Sequence, residues 1–503
     1  MIQKATVRAL VAYGLSLGRT TKQCDAKNAF FHPTLPDDEV CIVKPPKGCP
    51  FSAPNTYWKL KKTLYGLRRS PRHWYTTFTG VLEEIGLKKC PHDPCLFVGN
   101  TPDGGTIIFG TYVDDCAYFG TTDASEQWFA KELGKRLKIE FMGALSYYLG
   151  VHYTWGRTSD GRLTVHMAQP GHVHKMLEQH GLGDPDSFHP VKTPFRSGLV
   201  IDSVERDGLP PEAKPALVKK FQSLVGRFNW LSTSTRPDVT AVTSLLASHL
   251  HNPSQGHVDA AMHVLRYLKG TPNWGLRFTQ PPADRRGQFD PEDCLTGVVA
   301  WPAKGEPMPA LGSFDRLDEF TDSNWGPQDA SHPKPEQTVR DEDMKSLLGN
   351  LATFMGGPID WKAVRERRIS PSVCESEIKA MSEGHKMIMG LRNVFEDLGV
   401  PHLSEPTPFL YCDNQGGVTW VHSESVSKNM RQFNIRQCAI REAVKHREIN
   451  PVHIPGHLNP ADMFTKEMRN QSHFVQLRQA LMSDRDTAVQ GGVEEDWVSV
   501  SQS

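Results

Sequence analysis

Residues 106–119 read TIIFGTYVDDCAYF, two apolar, β-rich runs separated by Asp114 and Asp115. Strand-forming residues on both sides of a short polar centre predict a β-hairpin with the two acidic residues at its tip. Acidic residues are common in turns, and a bare Asp-Asp pair is most often only a turn. The flanks here are unusually apolar for a solvated turn, which favours a chemical role for the pair.

The sequence on both sides of this hairpin predicts further elements. Residues 5–17 predict a helix, and a strand is expected to run from there to Asp25. The Ser-Asp-Gly at 159–161 predicts a second hairpin turn. Residues 215–271 predict helices, because their apolar residues recur with the spacing of one helix face.

A linker is expected at 279–310, which is rich in Pro, Gly and Asp and lacks periodicity. An α/β pattern follows it. The expected elements are a strand ending at Asp322, an exposed loop at 326–341, strands near 350–355 and 359–364, a helix across 378–398, strands at 408–414 and 452–455, and a flexible tail beyond about 476.

Composition leaves the class of protein open. With 503 residues the chain is long enough for two or three domains. Its formal net charge of zero is mild evidence against a nucleic-acid binder, although basic patches can lie opposite acidic sites. None of the ten cysteines forms a Cys-x-x-Cys pair, and the N-terminus resembles neither a secretion signal nor a membrane span. Scattered cysteines without a signal peptide favour a reducing compartment.

Asp25, Asp114 and Asp115 form the first candidate site. Phosphoryl transfer to a nucleotide 3′-hydroxyl uses two Mg²⁺ ions, and Mg²⁺ prefers carboxylate oxygens. A hairpin tip can direct carboxylates into a cleft, and a third from a neighbouring strand can complete the site.

A basic stretch at 59–75 is the second feature with a chemical interpretation. It combines cations with aromatic residues and has no acidic residue between 58 and 75, a mix that suits phosphate contact and stacking. A solvated helix face explains it equally well. The residues are Trp58, Lys59, Lys61, Lys62, Tyr65, Arg68, Arg69, Arg72, Trp74 and Tyr75.

These runs resemble, in order, the reverse transcriptase region of copia-type (Pseudoviridae-like) LTR retrotransposon Pol polyproteins. Tyr112-Val113-Asp114-Asp115 is similar to the YVDD box of reverse transcriptases. The runs at 23–48 (QCDAKNAFFHPTLPDDEVCIVKPPKG) and 59–75 (KLKKTLYGLRRSPRHWY) resemble the stretches that precede the box in that family. FQSLVGRFNWLSTSTRPDVT (221–240) and AAMHVLRYLKGT (260–271) resemble those that follow it.

The resemblance implies roles for single residues in the first half of the chain. Asp25, Asp114 and Asp115 would be the polymerase metal ligands, and Phe30 would pack under the incoming sugar and favour dNTPs. A core aromatic is the alternative for Phe30. The remaining substrate-binding candidates are Tyr112, Arg68, Arg72 and, at a position similar to the primer grip, Leu149 and Gly150.

A second acidic group, Asp322, Glu377, Asp413 and Asp462, is dispersed over 141 residues. Its members are expected at two strand ends, in the first turn of a helix and at the start of the last helix. The surrounding runs resemble the copia RNase H domain: FTDSNWG, CESEIKAM, YCDNQGGV and NPADMFTKEM. The resemblance implies that these four residues bind two metal ions and cleave RNA.

Two further features belong to this part of the sequence. His457 would assist proton transfer or product release, with an ordinary surface His as the alternative. A helix expected at 427–447 would track the backbone of a hybrid, which is read by shape rather than by base sequence. Its basic residues are Lys428, Arg431, Arg436, Arg441, Lys445 and Arg447.

The chain also departs from the family pattern. Only about two dozen residues precede Asp25, and none resembles the basic fingers segment that grips the triphosphate, so an N-terminally truncated chain with doubtful polymerase competence is expected. Arg69 stands where the family usually has Gln, and Asn324 where it usually has Asp. The first alternative is therefore a polymerase-dead remnant with RNase H activity only. The second is a non-enzymatic nucleic-acid-binding protein derived from the element.

The sequence and the resemblance together predict an α/β (α+β) fold, a reverse-transcriptase palm and thumb followed by an RNase H-like mixed-sheet domain. The expected domains are a palm with partial fingers (1–195), a thumb, connection and linker (196–310), an RNase H-like domain (311–475) and a flexible tail (476–503). Expected cofactors are Mg²⁺ or Mn²⁺, two per active site. Expected partners are an RNA template, a DNA primer, an RNA–DNA hybrid and dNTPs, with no membrane. The expected location is the cytoplasm, in a virus-like particle, with the nucleus left open and secretion excluded.

Overall fold

The computed structural model describes residues 2–50, 55–184, 188–196, 201, 214–282, 304, 316–325, 345–400, 407–423, 435–468 and 470–485. The chain divides into two units, residues 1–145 with 397–399 and residues 146–396 with 400–503. Of the helices in the described ranges, none is long and apolar enough to cross a lipid bilayer.

The first unit is built on a six-stranded antiparallel sheet in the order β4-β5-β6-β7-β1-β8. Its strands are β1 (Lys22–Ala26), β4 (Lys88–Lys89), β5 (Leu96–Asn100), β6 (Thr106–Tyr112), β7 (Asp115–Gly120) and β8 (Ile139–Ala144), with a separate hairpin of β2 (Ile42–Val43) and β3 (Trp58–Lys59). Its helices are α1 (Lys4–Ser16), α2 (Ser70–Glu84) and α3 (Asp123–Arg136). The predicted helix at 5–17, the strand at Asp25 and the hairpin at 106–119 are thus confirmed.

Local sequence explains where two of these helices begin. Thr122 and Ser125 form a reciprocal capping box at the start of α3, each side chain bonding the other residue's backbone N–H. Helix α2 begins with Ser70 and Pro71, and proline is favoured in a first turn because its missing N–H has no helical partner there. Between α2, α3 and the sheet lies an aromatic core that includes Trp74, Phe78, Phe97, Phe109, Tyr118 and Phe129.

The second unit contains two sheets. The first is antiparallel, in the order β18-β12-β11-β10-β9, and the second has the order β15-β14-β13-β16-β17, with β16 parallel to β13 and to β17. The strands are β9 (Tyr147–Tyr148), β10 (Val151–Arg157), β11 (Leu163–Ala168), β12 (Trp274–Thr279), β13 (Asp318–Asn324), β14 (Leu347–Phe354), β15 (Gly357–Arg365), β16 (Phe409–Cys412), β17 (Asn450–His453) and β18 (Met482–Asp484).

The helices of this unit connect and flank the two sheets. They are α4 (Pro170–Gln179), α5 (Lys214–Ser232), α6 (Thr240–Ala247), α7 (Gln255–Lys269), α8 (Val373–Asp397), α9 (Gln415–His422), α10 (Ile435–Lys445) and α11 (Gln471–Leu481). The hairpin turn near 159–161 and the helices within 215–271 were predicted correctly. Trp361 of β15 donates a hydrogen bond to the Ser232 carbonyl at the end of α5, and Ser244 of α6 donates one to the Ala363 carbonyl. Helices α5 and α6, from the expected thumb and connection, therefore contact the second sheet directly through β15.

Three expectations need correction or fall outside the described residues. Residues 476–484, expected in a flexible tail, form the end of α11 and strand β18, because Phe474, Leu477 and Leu481 bury an apolar face. The described part of the helix expected at 427–447 is α10, and the expected start of that helix lies outside the described residues, since 424–434 are not among them. The loop at 326–341 and nearly all of the linker at 279–310 also lie outside it.

Candidate active sites

The first acidic site is the tip of the β6–β7 hairpin. Tyr112 pairs with Asp115, so Val113 and Asp114 are the two turn residues. Val113 has φ +62°, a left-handed conformation that is costly for a β-branched residue. The Trp74 indole N–H donates to the Val113 carbonyl at 2.7 Å, and the Ala26 N–H donates to the Asp114 carbonyl at 3.1 Å. Helix α2 and strand β1 thus both hold the strained tip.

Strand register brings the third aspartate to this tip. Strand β1 is antiparallel to β7, and Asp25 is the direct cross-strand partner of Asp115, so the two side chains share one face of the sheet. Partial desolvation, followed by the negative charges of Asp114 and Asp25, raises the pKa of Asp115. Lys27 lies 3.6 Å from the Asp25 carboxylate and also pairs with Glu140. The site thus brings negative charges close together, and a bound cation would reduce the repulsion between them.

The second acidic site lies where β13 and β16 run side by side. Thr321 pairs with Cys412 in the parallel ladder, so Asp322 and Asp413 follow at the same level of the sheet. Glu377 is the fifth residue of α8 and follows the first turn, where it was expected, because the helix already begins at Val373. Asp462 comes from a 3₁₀ helix at Pro460–Phe464. Asp322, Glu377 and Asp462 are buried, with 1%, 3% and 6% of their surface exposed.

The structure brings all four of these acidic residues together. Oxygens of Asp322, Asp413 and Asp462 all lie within 4.8 Å of one another, and so do ligand atoms of Glu377, Cys412 and Asp413. Asp413 belongs to both groups and joins them. Throughout the described ranges, these two are the groups of acidic, His and Cys side chains that are close enough to share an ion. The Asp25, Asp114 and Asp115 site is therefore the looser of the two.

Burial and mutual repulsion shift these carboxyl groups together. Desolvation first, and the charge of Asp322 second, raise the pKa of Glu377 and of Asp462 well above the ordinary range and raise that of Asp413. The Ser323 N–H donates to Glu377 at 3.3 Å, and the Cys412 thiol lies 3.6 Å from the other Glu377 oxygen. A cluster of buried carboxylate oxygens with raised pKa values fits Mg²⁺ or Mn²⁺, which are hard cations.

Sequence reasoning missed two residues of this site, Thr465 and Lys466. The Thr465 hydroxyl donates to one oxygen of Asp322, and Lys466 Nζ lies 3.3 Å from the other oxygen and 2.5 Å from Asp462. Burial favours the neutral amine of Lys466, but the negative charges of Asp322 and Asp462 outweigh it and raise the lysine pKa above its usual value. The sequence signal that could have identified Lys466 is its position four residues after Asp462.

Two further details of the expected positions were wrong. Asp322 lies inside β13, which continues to Asn324, rather than at the strand end. Asp462 does not begin the last helix, since α11 begins at Gln471. Strand β13 continues because Ser323 and Asn324 pair with Leu348 and Leu347 of β14. Asp462 lies instead in the 3₁₀ segment, which Asn459 fixes beside β13 by donating to the Thr321 carbonyl at 2.9 Å.

The substrate-binding candidates lie at three places. In the first unit, Phe30 is half-buried with its ring 4.8 Å from that of Tyr65. Arg68, just before α2, and Arg72, in its first turn, are exposed, and Tyr112 ends β6. In the second unit, Leu149 and Gly150 form the left-handed β9–β10 turn, with φ +50° and +78°. His457 lies in a 3₁₀ turn next to Gly456, where an added Cβ would be 3.1 Å from an Asp413 oxygen.

The described part of the expected basic helix contains one cation with contacts inside its own unit. The Arg441 guanidinium lies 5.3 Å from the centre of the Trp420 ring and donates to the Ser423 carbonyl. Its contacts are therefore structural. Lys445 and Arg447 are exposed, while Lys428 and Arg431 lie outside the described residues.

Comparison with known proteins relates both halves of the chain to retroelements. The family model "Reverse transcriptase (RNA-dependent DNA polymerase)" matches residues 1–195. The retrovirus-related Pol polyprotein from transposon TNT 1-94 of Nicotiana tabacum is 25% identical over 93% of this chain and 31% of its own length. The Pol polyprotein from transposon RE1 of Arabidopsis thaliana is 25% identical over 93% of this chain and 28% of its own length. The chain thus spans less than a third of these relatives.

A solved RNase H1, LC11 from a compost metagenome, aligns with 31% of this chain and 98% of its own length at 13% identity. The TM-score is 0.22, which carries no argument about a shared fold.

Proposed function

We propose that the chain is the reverse transcriptase and RNase H region of a copia-type retrotransposon Pol polyprotein, which synthesises DNA on an RNA template and cleaves the RNA of the resulting hybrid. The reverse transcriptase match at residues 1–195 and the similarity to Pol polyproteins over 93% of the chain support this proposal. One observation supports the proposal most directly: each of two sheets brings together acidic residues that lie far apart in the sequence. Asp25 meets Asp115 across β1 and β7, and Asp322 meets Asp413 across β13 and β16.

At the first site, Asp25, Asp114 and Asp115 would hold two divalent ions that activate the primer 3′-hydroxyl and neutralise the triphosphate. The protein's own residues position the reactants around that centre. Phe30, fixed edge-on against Tyr65, offers a rigid surface beneath the incoming sugar, which excludes a 2′-hydroxyl and favours dNTPs. The exposed Arg68 and Arg72 contact phosphates. Leu149 and Gly150 support the primer strand.

At the second site, Asp322, Glu377, Asp413 and Asp462 would hold two divalent ions that activate water against the RNA phosphodiester. The burial of these carboxylates keeps bulk water from competing for the ions. His457, next to the Gly456 that lies against Asp413, is in position to move a proton to the leaving group or to assist product release. Recognition of the hybrid by shape and 2′-hydroxyls makes the cleavage independent of base sequence.

The proposed domains are the expected ones: the palm within 1–195, the thumb and connection within 196–310, and the RNase H-like domain within 311–475. The proposed partners are an RNA template, a DNA primer and dNTPs. The proposed location is a cytoplasmic particle.

Separate substitutions test the two activities on the whole chain. Asp114→Asn with Asp115→Asn should abolish primer extension on an RNA template and leave hybrid cleavage intact, while Asp413→Asn should do the reverse. Glu83→Gln, an exposed acid on α2, is the matched control.

Two other outcomes would support one of the alternative functions instead. An unmutated chain that degrades hybrid RNA but never extends a primer is a polymerase-dead remnant. The first acidic site is the looser of the two, and this favours that outcome. A chain that binds hybrid and performs neither reaction is a non-enzymatic nucleic-acid-binding protein derived from the element.

A further inference from the structure

Lys466 lies between two carboxyl groups of the second acidic site, with 35% of its side chain exposed. Its Nζ is 2.5 Å from an Asp462 oxygen and 3.3 Å from Asp322 Oδ1. The hydroxyl of the preceding residue, Thr465, donates to Asp322 Oδ2. Both oxygens of Asp322 are therefore engaged by neighbouring residues of one chain segment.

The charges of the site explain why a cation is held there. Asp322, Asp413 and Asp462 place carboxylate oxygens within 4.8 Å of one another, and two of the three side chains are almost fully buried. Like charges at this separation and burial repel strongly, and a cation of opposite sign relieves the repulsion. An ammonium group hydrogen-bonded to two carboxylates supplies one positive charge at the place where a divalent ion would supply two.

The two halves of the site differ in this respect. Lys466 forms its ion pairs with Asp322 and Asp462. Glu377 and Asp413 instead belong to the second group of close ligand atoms, together with Cys412. A first ion can therefore approach Glu377 and Asp413 without moving the lysine, whereas an ion that uses Asp322 and Asp462 needs oxygens that the lysine already occupies.

We propose that Lys466 is an internal cation that occupies the Asp322–Asp462 half of the acidic site in the metal-free protein and is displaced when a divalent ion binds there. The proposal deepens the proposed function, since it concerns the metal ions of the RNA-cleaving site. It makes metal loading stepwise: one ion binds independently of Lys466, and a second binds only in exchange for it.

Amine labelling tests the exchange on the unmutated chain. Lysine acylation is read residue by residue by mass spectrometry, with and without Mn²⁺ and without nucleic acid. Labelling of Lys466 should rise about tenfold with Mn²⁺, because a displaced ammonium group loses the two carboxylate contacts that restrain it. Lys379, which pairs with Glu366 and Glu375 outside the acidic site, is the matched control and should not change. Unchanged or reduced labelling of Lys466 would overturn the proposal.

Calorimetric titration with Mn²⁺ alone gives a second, independent reading. Lys466→Met should tighten the weaker binding step about tenfold, because the competing cation is removed. Lys466→Arg should retain weak binding, and Lys379→Met should bind as the unmutated chain does. Weaker or unchanged binding in Lys466→Met contradicts the exchange, and if that variant does not fold, the labelling of the unmutated chain still decides.

The results separate this proposal from the proposed function. A chain whose Lys466 is released by Mn²⁺ but which leaves hybrid RNA intact refutes the cleavage activity and supports the exchange. A chain that cleaves hybrid RNA while Lys466 labelling stays constant supports the activity and refutes the exchange.

Discussion

Single residues determine how firmly each acidic site is held. At the first site, the left-handed Val113 stores conformational strain of the kind that persists only where surrounding contacts impose it. The Trp74 indole provides one of these contacts, and the same ring stacks on Phe78 at 4.9 Å. At the second site, Gly349 lets the segment with Asp462 approach β14 closely.

Replacement of Trp74 by Phe tests the contact with the hairpin tip. The aromatic packing is largely kept while the buried N–H donor is lost, so we expect a loss of about 1 kcal/mol in stability and about a fivefold lower rate of primer extension. Urea unfolding and single-nucleotide extension measure the two effects. Tyr75→Phe, which removes a hydrogen bond to Pro94 on an exposed part of the same helix, is the control. Equal extension rates in both variants would mean that Trp74 does not position the tip.

Replacement of Gly349 by Ala tests the close approach at the second site. An added Cβ would lie 2.7 Å from the Thr465 side chain and 2.9 Å from the Ala461 carbonyl, so we expect a destabilisation of about 1–3 kcal/mol and loss of hybrid cleavage.

Gly390 of α8 is the matched control, since an added Cβ there has no neighbour within 4 Å. Gly390→Ala should stabilise the helix by about 0.5–1 kcal/mol. If Gly349→Ala retains both stability and cleavage, the segment that carries Asp462 can move without consequence.

Among the secondary-structure elements, α11 and β18 connect the end of the described chain to its middle. Strand β18 pairs with β12 at the edge of the antiparallel sheet, and Arg478 of α11 donates to the Tyr267 hydroxyl of α7 and lies 3.9 Å from the centre of the Trp274 ring. Tyr267 in turn donates to Asp238, which forms a buried ion pair with Arg236. Residues beyond 470 therefore support the helices that precede the second acidic site.

Truncation of a buried side chain in α11 tests this role. Phe474→Ala should destabilise the second unit by about 3–5 kcal/mol, because a fully buried aromatic ring is removed from a packed interface. Gln479→Ala, at an exposed position of the same helix, should change stability by less than about 0.5 kcal/mol. Thermal unfolding distinguishes the two variants. A Phe474→Ala variant as stable as the control would support the expectation of a flexible tail.

For the whole molecule, stability should depend on pH through the second acidic site. The pKa values of Glu377, Asp413 and Asp462 are raised in the folded protein. A carboxyl group with a raised pKa stabilises the fold below its ordinary pKa of about 4, and this contribution is lost as pH rises through the raised value. The metal-free chain should therefore become less stable from about pH 4 toward neutrality.

Divalent ions should oppose this loss, because they bind the ionised carboxylates of the folded protein alone. Melting temperatures measured across this pH range with EDTA and with saturating MgCl₂ should diverge as pH rises. Glu377→Gln should flatten the dependence in EDTA. Parallel curves with and without MgCl₂ would show that the cluster does not bind the ion.

The sequence by itself determined the local structure and the seven candidate acidic residues. The apolar runs around Asp114 and Asp115 encode a hairpin, and the period of residues 378–398 encodes a helix, because side-chain alternation and helical repeat are properties of neighbouring residues. Only the tertiary structure decided how Asp322 meets Thr465 and Lys466, more than 140 residues away, and that residues 471–484 pack on α7 and β12. Such contacts depend on strand order and on shape complementarity between distant segments, which no local pattern records.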